Sequence, residues 1–270
     1  MSPSLQSVAK QPRVVARAVR KRLKKNPPPL GQPDFSRPYR RLRHFGLARQ
    51  CPVCGAHLKE FVSLANADRP DAVCPVCSAL EWHRFGWWYL SHNHGDRIRS
   101  GARVLHVAAE PEIRRQFEAV PGLLYTALDL DPRRASVMAD LQKLPFANGS
   151  LDLVYCSHVL EHVYDDRVAM AELRRVTKKD GAALIQVPVS ADVTWGDPTI
   201  TDPEERTRLF GLWDHVRRYG PDVVDILGEQ GWNVDHVRIE QVPDALVTRH
   251  GLPHHEIVKA AFDVFWCTPA

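Results

Sequence analysis

The sequence predicts an α/β protein: a mostly parallel sheet with an antiparallel edge, preceded by a small metal-stapled module. Three observations predict it. From Gly101 onward, short runs rich in Val, Leu and Ile alternate with helical segments, as strands covered on both faces require. Near the end, 232–239 and 263–267 read as two strands joined by a proline-containing excursion, which supplies the antiparallel edge. Ahead of both stand Cys51-Pro-Val-Cys54 and Cys74-Pro-Val-Cys77, with nineteen residues between the pairs.

The chain's 270 residues suffice for one α/β domain plus a small module. Hydrophobic content of 44% and charged content of 25% are those of a soluble globular protein. No apolar run reaches the roughly 18–20 residues that cross a bilayer. The basic start lacks the apolar core and cleavage signal of a secretory leader. With four of six cysteines in metal spacing, a reducing cytoplasm is expected, and Cys156 and Cys267 read as buried free thiols.

The net charge of +4 hides a split. Residues 1–50 hold 13 of the 36 Lys/Arg and one acid, Asp34, a local net charge of +12. The first element, residues 1–47, is therefore a basic arm and linker. Within it, 11–25 can form a short basic helix that Asn26 and the three prolines after it end, opening a linker that runs to Pro38. Such arms bind phosphates, of RNA for example, or an anionic membrane surface at the periphery. A solvated tail is the plain alternative.

Residues 48–80 form the second element. C-x2-C-x19-C-x2-C is the spacing of a four-thiolate zinc ribbon, with Cys51, Cys54, Cys74 and Cys77 as ligands. Four thiolates close a tetrahedral shell and leave no position for water, so this Zn2+ is structural. Two redox centres are the rival reading, but neither pair has a βαβ frame. A connecting helix follows within 81–98. Its Trp82, Phe85, Trp87, Trp88 and Leu90 are apolar nearly all round, which fits a helix wedged between two layers. A stacking role for Trp87 or Trp88 is the functional alternative.

Residues 99–270 carry the sheet. Strands are expected at 103–107, 124–128, 137–138, 151–156 and 182–187, helices at 112–119 and 166–176, and a turn at 178–181. Residues 190–219, rich in Asp, Pro, Trp and Arg, form a long insertion suited to a lid or acceptor pocket. Ligands of a parallel α/β sheet bind beyond the carboxyl ends of its strands. There Asp129 is placed to accept ribose hydroxyls, and Asp140 with Leu141 to read an adenine edge.

Those acids, followed by Leu144-Pro-Phe146 and Leu151-Asp-Leu-Val154, resemble the class I S-adenosylmethionine-dependent methyltransferases, in particular the type 11-like methyltransferase domain. The run from Ala171 through Glu172, Arg175 and Gly181 is similar to that group's E-x-x-R-V-L-K-P-G-G passage. The resemblance covers 101–190 well and 190–270 loosely. It implies a Rossmann-like sheet, S-adenosylmethionine as cofactor, and Asp129, Leu130, Asp140, Leu141 and Cys156 among its contacts. The family's glycine-rich first loop is replaced here by Ala108, Ala109 and Glu110, with Glu110 placed to meet the cofactor's α-amino group.

Past the fourth strand, His158, Glu161 and His162 form a polar cluster that could hold a second divalent metal, with His215 able to complete the shell. The same His158 and His215 are the candidate catalytic bases. The function expected is methyl transfer to a small polar acceptor, such as a sugar hydroxyl of a glycan or its precursor. An RNA methyltransferase that grips phosphates with ribbon and arm is the enzyme alternative, and a non-catalytic binding protein with an altered loop is the other.

Overall fold

The structure, a computed structural model, describes residues 37–64, 69–253 and 262–270. The basic helix expected over 11–25 lies outside them. Helix α1 (Arg37–Arg43) opens the described chain, one residue before Pro38, the expected end of the linker. Pro38 sits in its first turn, where a missing N–H is tolerated.

The two cysteine pairs lie on turns of the same build. The Cys51 N–H donates to the Ala56 carbonyl (2.9 Å) and the Cys51 carbonyl accepts from Gly55 (2.9 Å); Cys74 repeats this with Ala79 (2.9 Å) and Ser78 (2.8 Å). Each turn takes one left-handed residue at the same place, Gly55 at φ 68° and Ser78 at φ 69°. Strands β1 (Arg49–Gln50) and β2 (His57–Leu58) flank the first turn, while β3 (Val62–Leu64) and β4 (Arg69–Val73) lead into the second.

Helix α2 (Glu81–Asn93) lies between this module and the sheet, buried from His83 to Leu90. One hydrophobic cluster joins Cys51, Val53 and Leu58 of the module to Phe85 and Leu90 of the helix and to Val104, Leu153 and Leu184 of the sheet. A Cβ on Gly86 would come within 2.4 Å of Gln186 Oε1 and 2.7 Å of the Tyr155 hydroxyl, so only glycine lets the helix lie this close. Trp87 meets Phe117 edge-on at 5.3 Å and Trp88 stacks on Phe85 at 6.3 Å. Both pack, and neither is free to stack on a ligand.

Arg84, fully buried, brackets the parts. Its guanidinium donates to the carbonyls of Ala72 (3.0 Å) and Ala79 (2.8 Å) in the module and of His250 (3.0 Å) and Gly251 (2.9 Å) near the far end of the chain. The Phe61 ring lies 4.0 Å from the guanidinium carbon. A buried cation with its donors paired this way holds three backbone segments at fixed spacing.

The sheet has seven strands. Those named next are β5 (Arg103–Val107), β6 (Leu124–Asp129), β7 (Val137–Met138), β8 (Leu151–Ser157), β9 (Thr177–Gln186), β12 (Trp232–Val237) and β13 (Val264–Pro269). Their order is β12-β13-β9-β8-β5-β6-β7. The five strands from β9 to β7 pair in parallel; β13 runs against both β9 and β12. The reversed strand is thus inserted one place inside the edge. Helices α3 (Pro111–Glu118) and α4 (Asp166–Val176) cross between parallel strands, and their Ile113, Phe117, Met170 and Leu173 are buried.

The turn expected at 178–181 is not a separate element. Strand β9 runs through it, and the register jumps from Leu151↔Thr177 to Leu153↔Ala182, so these residues bulge outward. Lys178 Nζ holds Asp152 Oδ1 at 2.6 Å across the bulge. The insertion is shaped by β10 (Trp195–Gly196), α5 (Pro203–Phe210) and β11 (Arg217–Arg218), with β10 and β11 paired. Two short helices that the sequence reading missed, α6 (Val223–Glu229) and α7 (Asp244–His250), complete the described chain.

Candidate active site

The carboxyl ends of β5, β6 and β8 bring most of the expected site residues to one edge. Ala108 follows β5 at φ 50°, a left-handed conformation that an L residue adopts only when its surroundings hold it there. Its N–H donates to the Leu128 carbonyl at 2.7 Å, tying the β5 turn to the end of β6. Asp129 closes β6, nearly buried; Oδ1 accepts from the Asp131 N–H at 2.9 Å and Oδ2 lies 3.7 Å from Arg134 Nε.

Ala109 and Leu141 are buried, whereas Leu130 and Asp140 are exposed. Asp140 Oδ1 accepts from the Gln142 N–H at 2.9 Å. Cys156 is fully buried within β8, where burial pushes its thiol pKa well up, so it packs as a small apolar side chain. The Glu172 and Arg175 of the expected passage clamp the Leu144–Phe146 loop. Glu172 Oε2 accepts from Leu144 N–H (2.7 Å), while Arg175 donates to the carbonyls of Leu144 (3.0 Å) and Phe146 (2.8 Å).

Glu110 does not stand alone in the first loop. Its Oε2 accepts from His106 Nε2 at 2.6 Å, and His106 Nδ1 lies 3.0 Å from the Tyr125 hydroxyl. His83 Nε2, from α2, is 3.9 Å from Glu110 Oε1. Burial alone would raise the Glu110 pKa; the His106 hydrogen bond and the two imidazoles outweigh it and hold the carboxyl below its usual range. His83 itself is lowered to about 4 by burial, so it stays neutral near pH 7.

The second cluster follows β8. His158 stands at φ 54°, and its Nδ1 lies 3.2 Å from Glu161 Oε1. A carboxylate only accepts, so His158 Nδ1 carries the proton and Nε2 is left with a lone pair. That Nε2 is buried and without a partner in the structure, as is Glu161 Oε2. Glu161 is pulled down to about 2: burial opposes this, but the His158 hydrogen bond and the neighbouring His158, His162 and His215 imidazoles prevail. His215, lowered to about 4 by burial, meets the His162 ring edge-on at 4.7 Å.

Two aromatic rings enclose His158, Trp82 at 5.1 Å and Phe262 at 5.3 Å between centroids. Trp82 comes from α2, and Arg69 of β4 lies 5.0 Å over its ring. Sequence reasoning missed Trp82, His83 and His106. The signals were present: a histidine inside an otherwise apolar strand, four residues before Glu110, and a helix too rich in aromatic side chains to spend all of them on packing.

The four cysteine sulfurs also come together. Cys51 Sγ and Cys77 Sγ are 3.8 Å apart, and Cys54 Sγ and Cys74 Sγ 3.9 Å. Four ligands at about 2.3 Å from a tetrahedral zinc lie about 3.8 Å from one another, so these separations fit the ion.

Residues 101–185 match the family model for the methyltransferase domain. A demethylmenaquinone methyltransferase of Corynebacterium glutamicum (strain R) is 31% identical over 93 residues, 31% of this chain and 40% of that protein. An ajmaline N-methyltransferase of Rauvolfia serpentina is 25% identical over 155 residues, 50% of this chain and 53% of that protein. The chain thus spans about half or less of the length of these curated relatives. The crystal structure of the [4+2]-cyclase SpnF superposes with a TM-score of 0.51 at 13% identity, over 78% of this chain and 88% of that one, a likeness of fold. Behind its four-cysteine module, this chain carries over residues 101–185 a match to the methyltransferase-domain family, set in a sheet whose likeness to the solved structure is one of fold.

Proposed function

We propose that the chain methylates a small polar acceptor, a sugar hydroxyl of a glycan or its precursor in the first instance, with S-adenosylmethionine as donor. The observation that carries this reading is the bond from Ala108 N–H to the Leu128 carbonyl, which sets a left-handed turn beside Asp129 at one strand edge. A ribose needs a carboxylate there, and the passing chain of the cofactor needs a small side chain next to it. Asp129, Leu130, Asp140 and Leu141 would hold the adenosyl part, with Ala108 and Ala109 against the methionine part and Cys156 behind them.

The cofactor supplies a methyl group on a positively charged sulfur, and the rest falls to the protein's own residues. Asp129 and the Ala108 turn orient; Trp82 and Phe262 exclude water around His158. Glu161 fixes the His158 ring by accepting the hydrogen bond of its Nδ1–H, which leaves Nε2 to accept a proton from the acceptor hydroxyl. His215 is the second candidate base where its lone pair is not held by a metal; where it is held, the base is His158 alone. The four cysteines would hold one structural zinc.

The curated relatives named for demethylmenaquinone and ajmaline favour a small acceptor over RNA. At the N-terminal side, Tyr39, Leu42, Phe45 and Leu47 are exposed beside Arg40 and Arg43. Apolar and cationic side chains mixed in this way favour an anionic lipid surface over bare phosphates as what the basic arm meets, at the cytoplasmic face of a membrane. Calorimetry with S-adenosylhomocysteine tests the central reading. Binding by the wild-type chain that falls at least tenfold in Asp129→Ala supports it; no binding by a folded, zinc-loaded wild type leaves the non-catalytic alternative.

A further inference from the structure

We infer that Glu161, His162 and His215 form a second metal site, distinct from the cysteines, for a first-row divalent ion of the zinc, cobalt or manganese class. The three residues come from two segments. Glu161 and His162 belong to the short turn after β8, and His215 to the insertion just ahead of β11. Hydrogen bonds fasten these segments to each other: Val216 N–H donates to the Glu161 carbonyl at 3.0 Å, and the Arg217 guanidinium donates to the carbonyls of Leu160 and Val163. One ligand atom from each of the three lies within 4.8 Å of the others. Ligands about 2.1 Å from a common ion stand roughly 3.0–3.5 Å apart, so small side-chain rotations close the shell.

The protonation pattern aims the free lone pairs. His162 Nδ1 is 3.1 Å from the Asp214 carbonyl, which can only accept, so Nδ1 holds the proton and Nε2 is the atom left to ligate. Glu161 Oε1 is engaged by His158, and Oε2, buried with its side chain 1% exposed, has no partner. A buried carboxylate oxygen left unpaired calls for an explanation, and a cation supplies it. The set differs from the one the sequence suggested: His215 takes the place of His158, which instead orients Glu161 from behind. Two imidazoles and one carboxylate select a borderline ion over magnesium and leave open positions for an acceptor oxygen. This inference rests on the proposed function only for what the ion would do there.

The test is metal stoichiometry of the full chain, by mass spectrometry of bound Zn2+ and by titration with Co2+. The wild type should take up two equivalents, and His215→Ala and Glu161→Gln one. The thiolate-to-cobalt absorption of the cysteine site should persist in both variants, which also reports that they fold. His162→Ala gives an independent third variant. A wild type that saturates at one equivalent, or variants that still hold two, would overturn the site. S-adenosylhomocysteine calorimetry on the same samples separates the readings. Two equivalents without nucleoside binding would remove the methyltransferase reading alone, and one equivalent with nucleoside binding would remove the metal site alone.

Discussion

His83 starts α2 by accepting the Leu80 N–H on its Nδ1 at 3.2 Å, which is open to it only while that nitrogen is unprotonated. Its pKa is depressed from 6.5 to about 4 by burial. Between those values the unfolded chain binds the proton and the folded chain does not. Stability is therefore full above about pH 6.5 and falls as pH drops toward 4, by on the order of 3 kcal/mol in all. Denaturant midpoints across this window should show the slope, and His83→Gln should flatten it; equal slopes would remove His83 as the cause. His158 makes a different prediction. His158→Ala should cut turnover by about 10²–10⁴-fold once an acceptor is in hand, with S-adenosylhomocysteine affinity kept within about threefold. Full activity in both His158→Ala and His215→Ala would end the assignment of a histidine base. His158, Glu161 and His215 were legible as candidates in sequence, but the distance between Glu161 and His215 was not. Fifty-odd residues separate Glu161 from His215, and it takes the Val216–Glu161 backbone bond and the Arg217 bonds to Leu160 and Val163 to set them side by side.

At the scale of elements, the strands were the most readable part, because continuous apolar runs at parallel positions have few other uses. Strand β5 and helix α4 lie where periodicity puts them. The bulge in β9 was hidden, since a Lys-Lys-Asp-Gly run reads as a turn unless the Lys178–Asp152 pair across the strands is known. Helices α6 and α7 are seven residues each, too short for a helical period to declare itself. The Glu172–Arg175 passage in α4 acts as a clamp on a loop. Arg175→Ala removes bonds to two loop carbonyls and to Glu172, and should destabilise the protein by about 2 kcal/mol. It should also weaken nucleoside binding several-fold, because the loop begins just after Leu141. Unchanged affinity in a destabilised variant would confine the clamp to stability.

Across the whole molecule, the four-cysteine module and the sheet share one core through α2, and Arg84 ties module carbonyls to the His250–Gly251 turn. The composition and cysteine spacing announced two parts; nothing in them announced that Trp82, at the start of the joining helix, reaches His158. Removing zinc should therefore lower the single thermal transition of the whole chain instead of melting a separate module. Arg84→Met, which strands the same carbonyls in the interior, should cost about 3 kcal/mol or more. Two resolved transitions in the zinc-stripped protein would show the parts to be independent.

The most direct measurement is the structure of the full chain bound to S-adenosylhomocysteine. The nucleoside should lie across the ends of β5 and β6, its ribose hydroxyls within hydrogen-bond distance of the Asp129 carboxylate and its homocysteine chain passing Ala108. A nucleoside bound elsewhere, or an edge that stays filled by protein side chains at saturating ligand, would contradict the account.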